Sequence, residues 1–119
     1  MNWSLGINTG WGDRISERAK KDGFGLLAMK TLIHRTWREG EERIYPKSWC
    51  KPITGNDALR VAGMKYGLFK GAATLIPPGN FECFSFMLDH IDQALEPLTE
   101  EEWELLRREA ELVKKELIF

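Results

Sequence analysis

The chain has 119 residues, a net charge of −1 and 43% hydrophobic residues, a composition typical of one globular domain and unlike that of a disordered chain. No apolar run approaches the roughly 20 residues that a membrane-spanning helix needs, and the N-terminal residues lack the pattern of a secretory signal. The two cysteines are too few for a disulfide framework, so we expect a cytoplasmic protein without membrane contact.

Charge is divided unevenly along the chain. Residues 1–70, the basic half, contain 13 Lys/Arg and 7 Asp/Glu, a net +6, whereas residues 71–119, the acidic half, contain 4 and 11, a net −7. This asymmetry predicts a basic surface suited to nucleic acid or to an acidic partner. Two alternatives stay open: the halves neutralise each other in one fold, or copies associate through their opposite charges.

The chain begins with a glycine-rich segment, SLGINTGWGDR, that contains Gly6, Gly10 and Gly12. Backbone N–H groups in such a turn before a helix can bind phosphate. The glycine spacing matches neither the dinucleotide-binding fingerprint nor the P-loop. We therefore predict an ordinary turn, with Asp13 as the cap or first-turn acid of the helix that follows.

Residues 13–38 are predicted to form two helices. The segment DRISERAKK predicts a short, charged surface helix that ends at Asp22-Gly23. Phe24, Leu27 and Trp37 then recur at helical spacing, which predicts a helix over 24–38. Alternate apolar residues at the start of that segment leave a strand as the alternative. The two prolines of RIYPKSWCKPITG predict an extended connector or an edge strand.

Three glycines spaced four apart follow in AGMKYGLFKGAATLIPPG: Gly63, Gly67 and Gly71. NDALRVAGM predicts a short helix capped by Asn56 or Thr54. If the segment were one continuous helix, each glycine would make that helix about 1 kcal/mol less stable than an alanine would. Such a cost is tolerable only if another backbone or a ligand lies against the glycine face. We therefore predict a break, with a turn and a positive φ at Gly67, a helix or strand up to Pro77, and a hinge between the two halves.

The last 39 residues predict an antiparallel helical hairpin over residues 80–118. Asn80 is the predicted cap of its first helix, and Pro97 ends that helix. Thr99 and Glu102 have the spacing of a capping box at the start of a second helix of about 18 residues. Apolar residues recur at helical spacing in both helices, namely Phe84, Met87 or Leu88, Ile91 and Leu95, then Trp103, Leu106, Ala110, Val113 and Leu117.

These elements together predict a mostly α fold. We expect a compact single domain over residues 1–119, with four to six helices, the C-terminal hairpin and one short strand pair. An α+β fold is the alternative.

No motif indicates catalysis or metal binding. Cys50, His34 and His90 have no spacing that joins them, and neither a C-x-x-C nor an H-x-x-x-H element is present. A helix-turn-helix over residues 54–76 would have an apolar second helix that offers only Lys70 and Thr74 to DNA. We predict no catalytic residues, no cofactor and no metal.

Basic and aromatic side chains of the first 70 residues are the predicted binding residues. Lys and Arg can contact phosphates or acids, and exposed aromatics can stack or anchor a partner. The predicted set is Arg14, Arg18, Arg35, Trp37, Arg38, Trp49, Lys65, Tyr66 and Lys70.

The leading functional hypothesis is a small, non-catalytic interaction or regulatory protein, of inhibitor or adaptor type, that docks on a protein partner. The first alternative is a nucleic-acid-binding protein that uses the basic half. The second is a nucleotide or anion binder, or an enzyme, that uses a glycine-rich segment. Homo-oligomers through oppositely charged halves are compatible with each hypothesis.

Overall fold

The computed structural model describes residues 1–118, which form six helices and four short strands. The helices are α1 (Trp3–Thr9), α2 (Asp13–Asp22), α3 (Asp57–Phe69), α4 (Phe81–Asp89), α5 (Ile91–Leu95) and α6 (Glu100–Leu112). The strands are β1 (Leu26–Met29), β2 (Ile33–Arg35), β3 (Lys51–Pro52) and β4 (Ala72–Ile76). The predicted mostly helical fold with short strands is confirmed.

The predicted helix caps are confirmed. The side-chain oxygens of Asn56 and Asn80 each accept a hydrogen bond from the backbone N–H three residues on, at 3.0 and 2.8 Å. Thr99 and Glu102 form the reciprocal capping box. Helix α2 ends at Gly23, which has a φ of +75° as the C-terminal cap. These helix termini depend on contacts within a few residues, so the sequence alone is enough to predict them.

The structure differs from three of the predicted helices. Residues 24–38 contain strands β1 and β2, the strand alternative, because β1 pairs with β4 and Ala28 is buried while its neighbours point outward. The helix predicted from Asn80 to Pro97 is interrupted at His90, which separates α4 from α5. Helix α6 ends at Leu112 and has 13 residues, so it is shorter than predicted.

Helix α3 lies at the centre of the molecule and is buried nearly all round from Leu59 to Gly67. One side of α3 joins a core cluster with Trp3 and Leu106, and the other joins a second cluster with Leu32 and Phe86. Both α5 and α6 pack on α3, and α6 also packs on α1. The predicted hairpin helices therefore bury their apolar residues mainly against α3 and α1 rather than against each other.

The predicted break at Gly67 is wrong. Gly67 lies inside α3, and the positive φ of this region, +88°, is found at Gly71. The glycine face of α3 receives another part of the chain at close range. A Cβ at Gly63 would lie 2.4 Å from the carbonyl oxygen of Thr31, and a Cβ at Gly67 would lie 2.7 Å from the Thr31 methyl group. The close approach of Thr31 is the reason that a glycine-containing helix can persist here.

Strands β1 and β4 form a two-stranded parallel sheet, and β2 and β3 form an antiparallel pair. Ala28 and Leu75 are partners in the register of the parallel sheet and face α3 near Gly67. Leu27 and Met29 lie on the opposite face and are exposed. The parallel sheet is thus covered on one face only, although parallel sheets usually have both faces covered.

A search of the helices in residues 1–118 for a membrane-crossing candidate finds none with the necessary length and apolar character.

Candidate functional site

The predicted binding residues do not form one surface. Arg14, Arg18, Arg38 and Trp49 are exposed, Trp37 and Lys70 are half-buried, and Arg35, Lys65 and Tyr66 are buried. Trp49 has 89% of its surface exposed.

The buried Arg35 is held by an acid of its own chain. Its guanidinium donates two hydrogen bonds to the Glu41 carboxylate, at 2.8 and 2.9 Å, and Lys51 donates to the same carboxylate. These bonds, from Arg35 first and then Lys51, hold the pKa of Glu41 well below its usual range. Trp37 lies beside this group and donates its indole N–H to the carbonyl of Ser48 at 2.8 Å. Arg35 and Trp37 therefore have structural partners already.

Further cations of the basic half pair with acids in the same way. Lys65 donates to both oxygens of Glu102, at 2.7 and 2.9 Å, and Arg38 pairs with Glu116 and lowers its pKa. The remaining pairs of the predicted set are Arg18 with Asp22 and Lys70 with Asp13. Tyr66 lies inside the core against Gly6. Arg38 and Lys65 pair with acids of the acidic half, as the first of the two alternatives for the charge asymmetry predicts. Arg18, Arg35 and Lys70 have acidic partners within the basic half itself.

The histidines and cysteines considered for catalysis or for a metal site lie in different surroundings. His34 stacks on Trp3 and lies 3.5 Å from Glu109, and burial lowers its pKa. His90 stacks on Phe86 at 3.9 Å between ring centroids. Burial raises the pKa of the free Cys83 thiol. Within residues 1–118, no group of three His, Cys, Asp or Glu side chains is placed to hold a metal ion.

The structure brings together an apolar groove that sequence reasoning missed. This β4 groove, of about 320 Å³, lies between β4 and helices α4 and α5. Leu68, Leu75 and Met87 belong to the core side of the groove. Its open side consists of side chains from α4 and α5, namely Phe84, Leu88, Ile91 and Leu95, each at least 40% exposed.

The groove exists because α4 is apolar on two sides. Cys83, Phe86 and Met87 face the core, while Phe84 and Leu88 face outward. A helix that is apolar nearly all round is normally covered on all sides. The sequence contains the signal, because Phe84, Leu88, Ile91 and Leu95 recur at helical spacing. Helical spacing does not specify which way these residues face, and in the structure they form the exposed wall of the groove rather than part of the core.

Residues 71–106, the segment that supplies most of the groove lining, contain eight Asp/Glu and no Lys or Arg. Among the described residues, no charged side chain lines the groove itself. Asp89, Asp92 and Glu96 are exposed, and each follows a groove-lining residue in the chain. We name these three acids the acidic border of the groove.

Comparison with known proteins gives no relative: the chain matches no protein-family model, no curated protein and no solved structure.

Proposed function

We propose that this protein is a non-catalytic interaction protein of inhibitor or adaptor type, which binds an extended segment of a protein partner along the outer edge of β4. The observation that carries the proposal is the apolar β4 groove beside a strand edge without a strand partner in residues 1–118. Exposed apolar patches of this kind are typical of interaction sites.

Strand addition fits the position of the groove. Strand β4 pairs only with β1 among the described strands, so its second edge can pair with a further strand. In such complexes the backbone hydrogen bonds supply affinity, and alternate side chains enter pockets beside the strand. Leu88 and Leu95 lie on the wall that such side chains would meet.

The acidic border indicates the chemistry of the partner. The exposed carboxylates of Asp89, Asp92 and Glu96 would attract a basic segment and repel an acidic one. We therefore infer a partner segment with alternate large apolar side chains flanked by Lys or Arg. The intramolecular ion pairs of Arg18, Arg38 and Lys70 favour a protein partner over the nucleic-acid alternative.

A selection from a displayed random-peptide library tests this function. We expect enriched peptides with alternate apolar residues and flanking basic residues, because only these match both the groove and its border. Leu88→Asp and Leu95→Asp should each abolish the binding of these peptides. Leu112→Asp is the matched control, because Leu112 is as exposed as Leu95, at 70% against 68%, but lies on α6 away from the groove.

Three outcomes would overturn the proposal. They are a selection that enriches nothing, peptides that bind the Leu88 and Leu95 variants as well as the unchanged chain, and a dimer in sedimentation that these two substitutions dissociate. The last result would assign the groove to a second copy of this chain.

A further inference from the structure

A second cavity adjoins the β4 groove at the C-terminal end of the parallel sheet. Met29 and Ile76, the last residues of β1 and β4, line it, and its volume is about 190 Å³. We name it the strand-end cavity. Pro77 lines both this cavity and the β4 groove, so the two meet at that residue. A partner segment that follows β4 to its end therefore arrives at the strand-end cavity.

The edge of β4 that is open to an added strand ends at Ile76. Pro77 and Pro78 come next in the chain, and proline has no backbone N–H to donate. Because successive N–H groups of a strand point to opposite edges, two prolines in a row remove the donor from both edges. An added strand therefore loses its backbone hydrogen bonds here. At about 3.3 Å per residue, the first one or two residues beyond the paired stretch lie beside the strand-end cavity.

The lining of the strand-end cavity is mainly apolar. Ile33 and Cys50, which are buried, line it together with the exposed side chains of Met29 and Ile76. The exposed Trp49 ring is a further part of the lining. Exposed tryptophans beside a pocket are typical anchors of protein interfaces, because a partner that covers the ring removes a large apolar area from water.

The polar groups of the lining do not require a charged occupant. The Ser48 hydroxyl already accepts a hydrogen bond from the Asn80 side chain at 3.4 Å. Lys30 and Lys47 are the charged residues of the described lining, and a neutral ring needs neither ammonium group as a partner. No Asp or Glu is among these lining residues, so the cavity offers no carboxylate to a Lys or Arg side chain. The basic residues of the partner segment therefore belong at the acidic border, and an uncharged residue belongs at the cavity.

The volume of the cavity matches a single aromatic ring. An apolar cavity of about 150 Å³ holds one benzene molecule, and the strand-end cavity is slightly larger. An aromatic side chain would also pack against the Trp49 ring, and aromatic pairs attract each other beyond the effect of the area that they bury. We propose that the partner segment inserts one phenylalanine or tyrosine side chain into the strand-end cavity, directly beyond the stretch that pairs with β4. This inference rests on the proposed function, because it concerns the same segment.

Peptides from the displayed-library selection are the probes for this anchor. Each tightly binding peptide should carry Phe or Tyr at one end of its alternating apolar stretch. Replacement of that residue by alanine should weaken binding roughly tenfold to a hundredfold, as the burial of such a side chain predicts. The bound peptide should also slow the alkylation of Cys50 by iodoacetamide, and the alanine peptide should protect Cys50 less.

Two substitutions in the lining test where the ring binds. Trp49→Ala and Met29→Asp should each remove most of the difference in affinity between the aromatic peptide and the alanine peptide, because the ring has lost its site. Leu27→Asp is the matched control and should keep the full difference. Leu27 lies two residues before Met29 on the same exposed face of β1 and lines neither cavity. All three replaced side chains are exposed, and melting temperatures show whether each variant folds.

The anchor is overturned if the peptides carry no aromatic residue at that end, if the alanine peptide binds as tightly, or if neither lining variant reduces the difference. Peptides that give one of these results and still depend on Leu88 and Leu95 would leave the proposed function intact. A selection that enriches nothing, or peptides that ignore the Leu88 and Leu95 substitutions, would overturn the proposed function and this inference with it.

Discussion

Gly63 and Gly67 determine how closely the chain can pack on α3. At Gly63 an added Cβ would meet a backbone oxygen, that of Thr31, at 2.4 Å, and a backbone atom cannot rotate away. At Gly67 the nearest atom is the Thr31 methyl group, which belongs to a side chain and can move further. The two glycines therefore differ in how strictly their positions require glycine.

We predict that Gly63→Ala lowers the free energy of unfolding by about 1–3 kcal/mol, the usual cost of overpacking, even though alanine is the better helix former. Gly67→Ala should lower the free energy of unfolding by less, because the nearest atom there belongs to a side chain. Unfolding in urea measures both, with Gly25→Ala as the control, since a Cβ there would have an ordinary contact distance of 3.9 Å to Ala73. A Gly63→Ala variant as stable as the control would contradict the close approach of Thr31.

At the scale of secondary-structure elements, Glu41 connects the loop between β2 and β3 to both strands. Its carboxylate accepts hydrogen bonds from Arg35 at the end of β2 and from Lys51 at the start of β3. Because these cations lower its pKa in the folded protein, protonation of Glu41 favours the unfolded chain. Its contribution to stability is present above the ordinary glutamate pKa and is lost as pH falls towards the folded value.

We predict that the free energy of unfolding decreases as pH falls below about 4.3, the ordinary pKa of glutamate, and that Glu41→Gln makes this decrease shallower. The variant should also be less stable at neutral pH. Urea unfolding over a pH series measures this dependence, and exposed Glu17→Gln is the control. If the variant and the control have the same slope, Glu41 has the same pKa in the folded and unfolded chain and the prediction fails.

At the scale of the whole molecule, α3 joins the two core clusters into one. Leu59, Ala62 and Tyr66 of α3 belong to the cluster that contains Leu106, while Val61 and Met64 belong to the cluster that contains Cys83. Because both clusters share one central helix, neither can lose its packing while the other is kept. We therefore expect a single cooperative unfolding transition.

We predict that Leu106→Ala lowers the free energy of unfolding by about 2–5 kcal/mol, since Leu106 is fully buried. The same shift should be seen by tryptophan fluorescence, to which Trp3 and Trp103 of the first cluster contribute, and by the reactivity of the Cys83 thiol, which reports on the other cluster. Exposed Leu112→Ala should shift neither midpoint. Two separate midpoints in the Leu106 variant would show that the clusters unfold independently.

The charge asymmetry is partly neutralised within the molecule. Arg38 pairs with Glu116, and Lys65 pairs with Glu102, so cations of the basic half meet carboxylates of the acidic half within one chain. Sequence counts could measure the asymmetry, but they could not distinguish internal pairing from a partner surface. Asp89, Asp92 and Glu96, the acidic border of the β4 groove, are the part of the asymmetry on which the proposed function depends.

The sequence by itself determined the features that depend on neighbours in the chain. The caps at Asn56, Asn80 and Thr99 and the end of α2 at Gly23 all follow from hydrogen bonds that span a few residues. The apolar spacing of residues 84–95 was equally visible. The spacing could not show whether these apolar residues face the core or the solvent, because helical spacing does not specify what packs against that side of the helix.

Only the tertiary structure decided the features that join distant parts of the chain. Strand β1 forms because β4, more than 40 residues later, pairs with it, and α3 keeps its glycines because Thr31 packs against them. The same pairing brings Met29 and Ile76 together at the ends of the two strands. Such contacts gain their free energy from burial and pairing between segments, and local propensity contains no information about which segments meet.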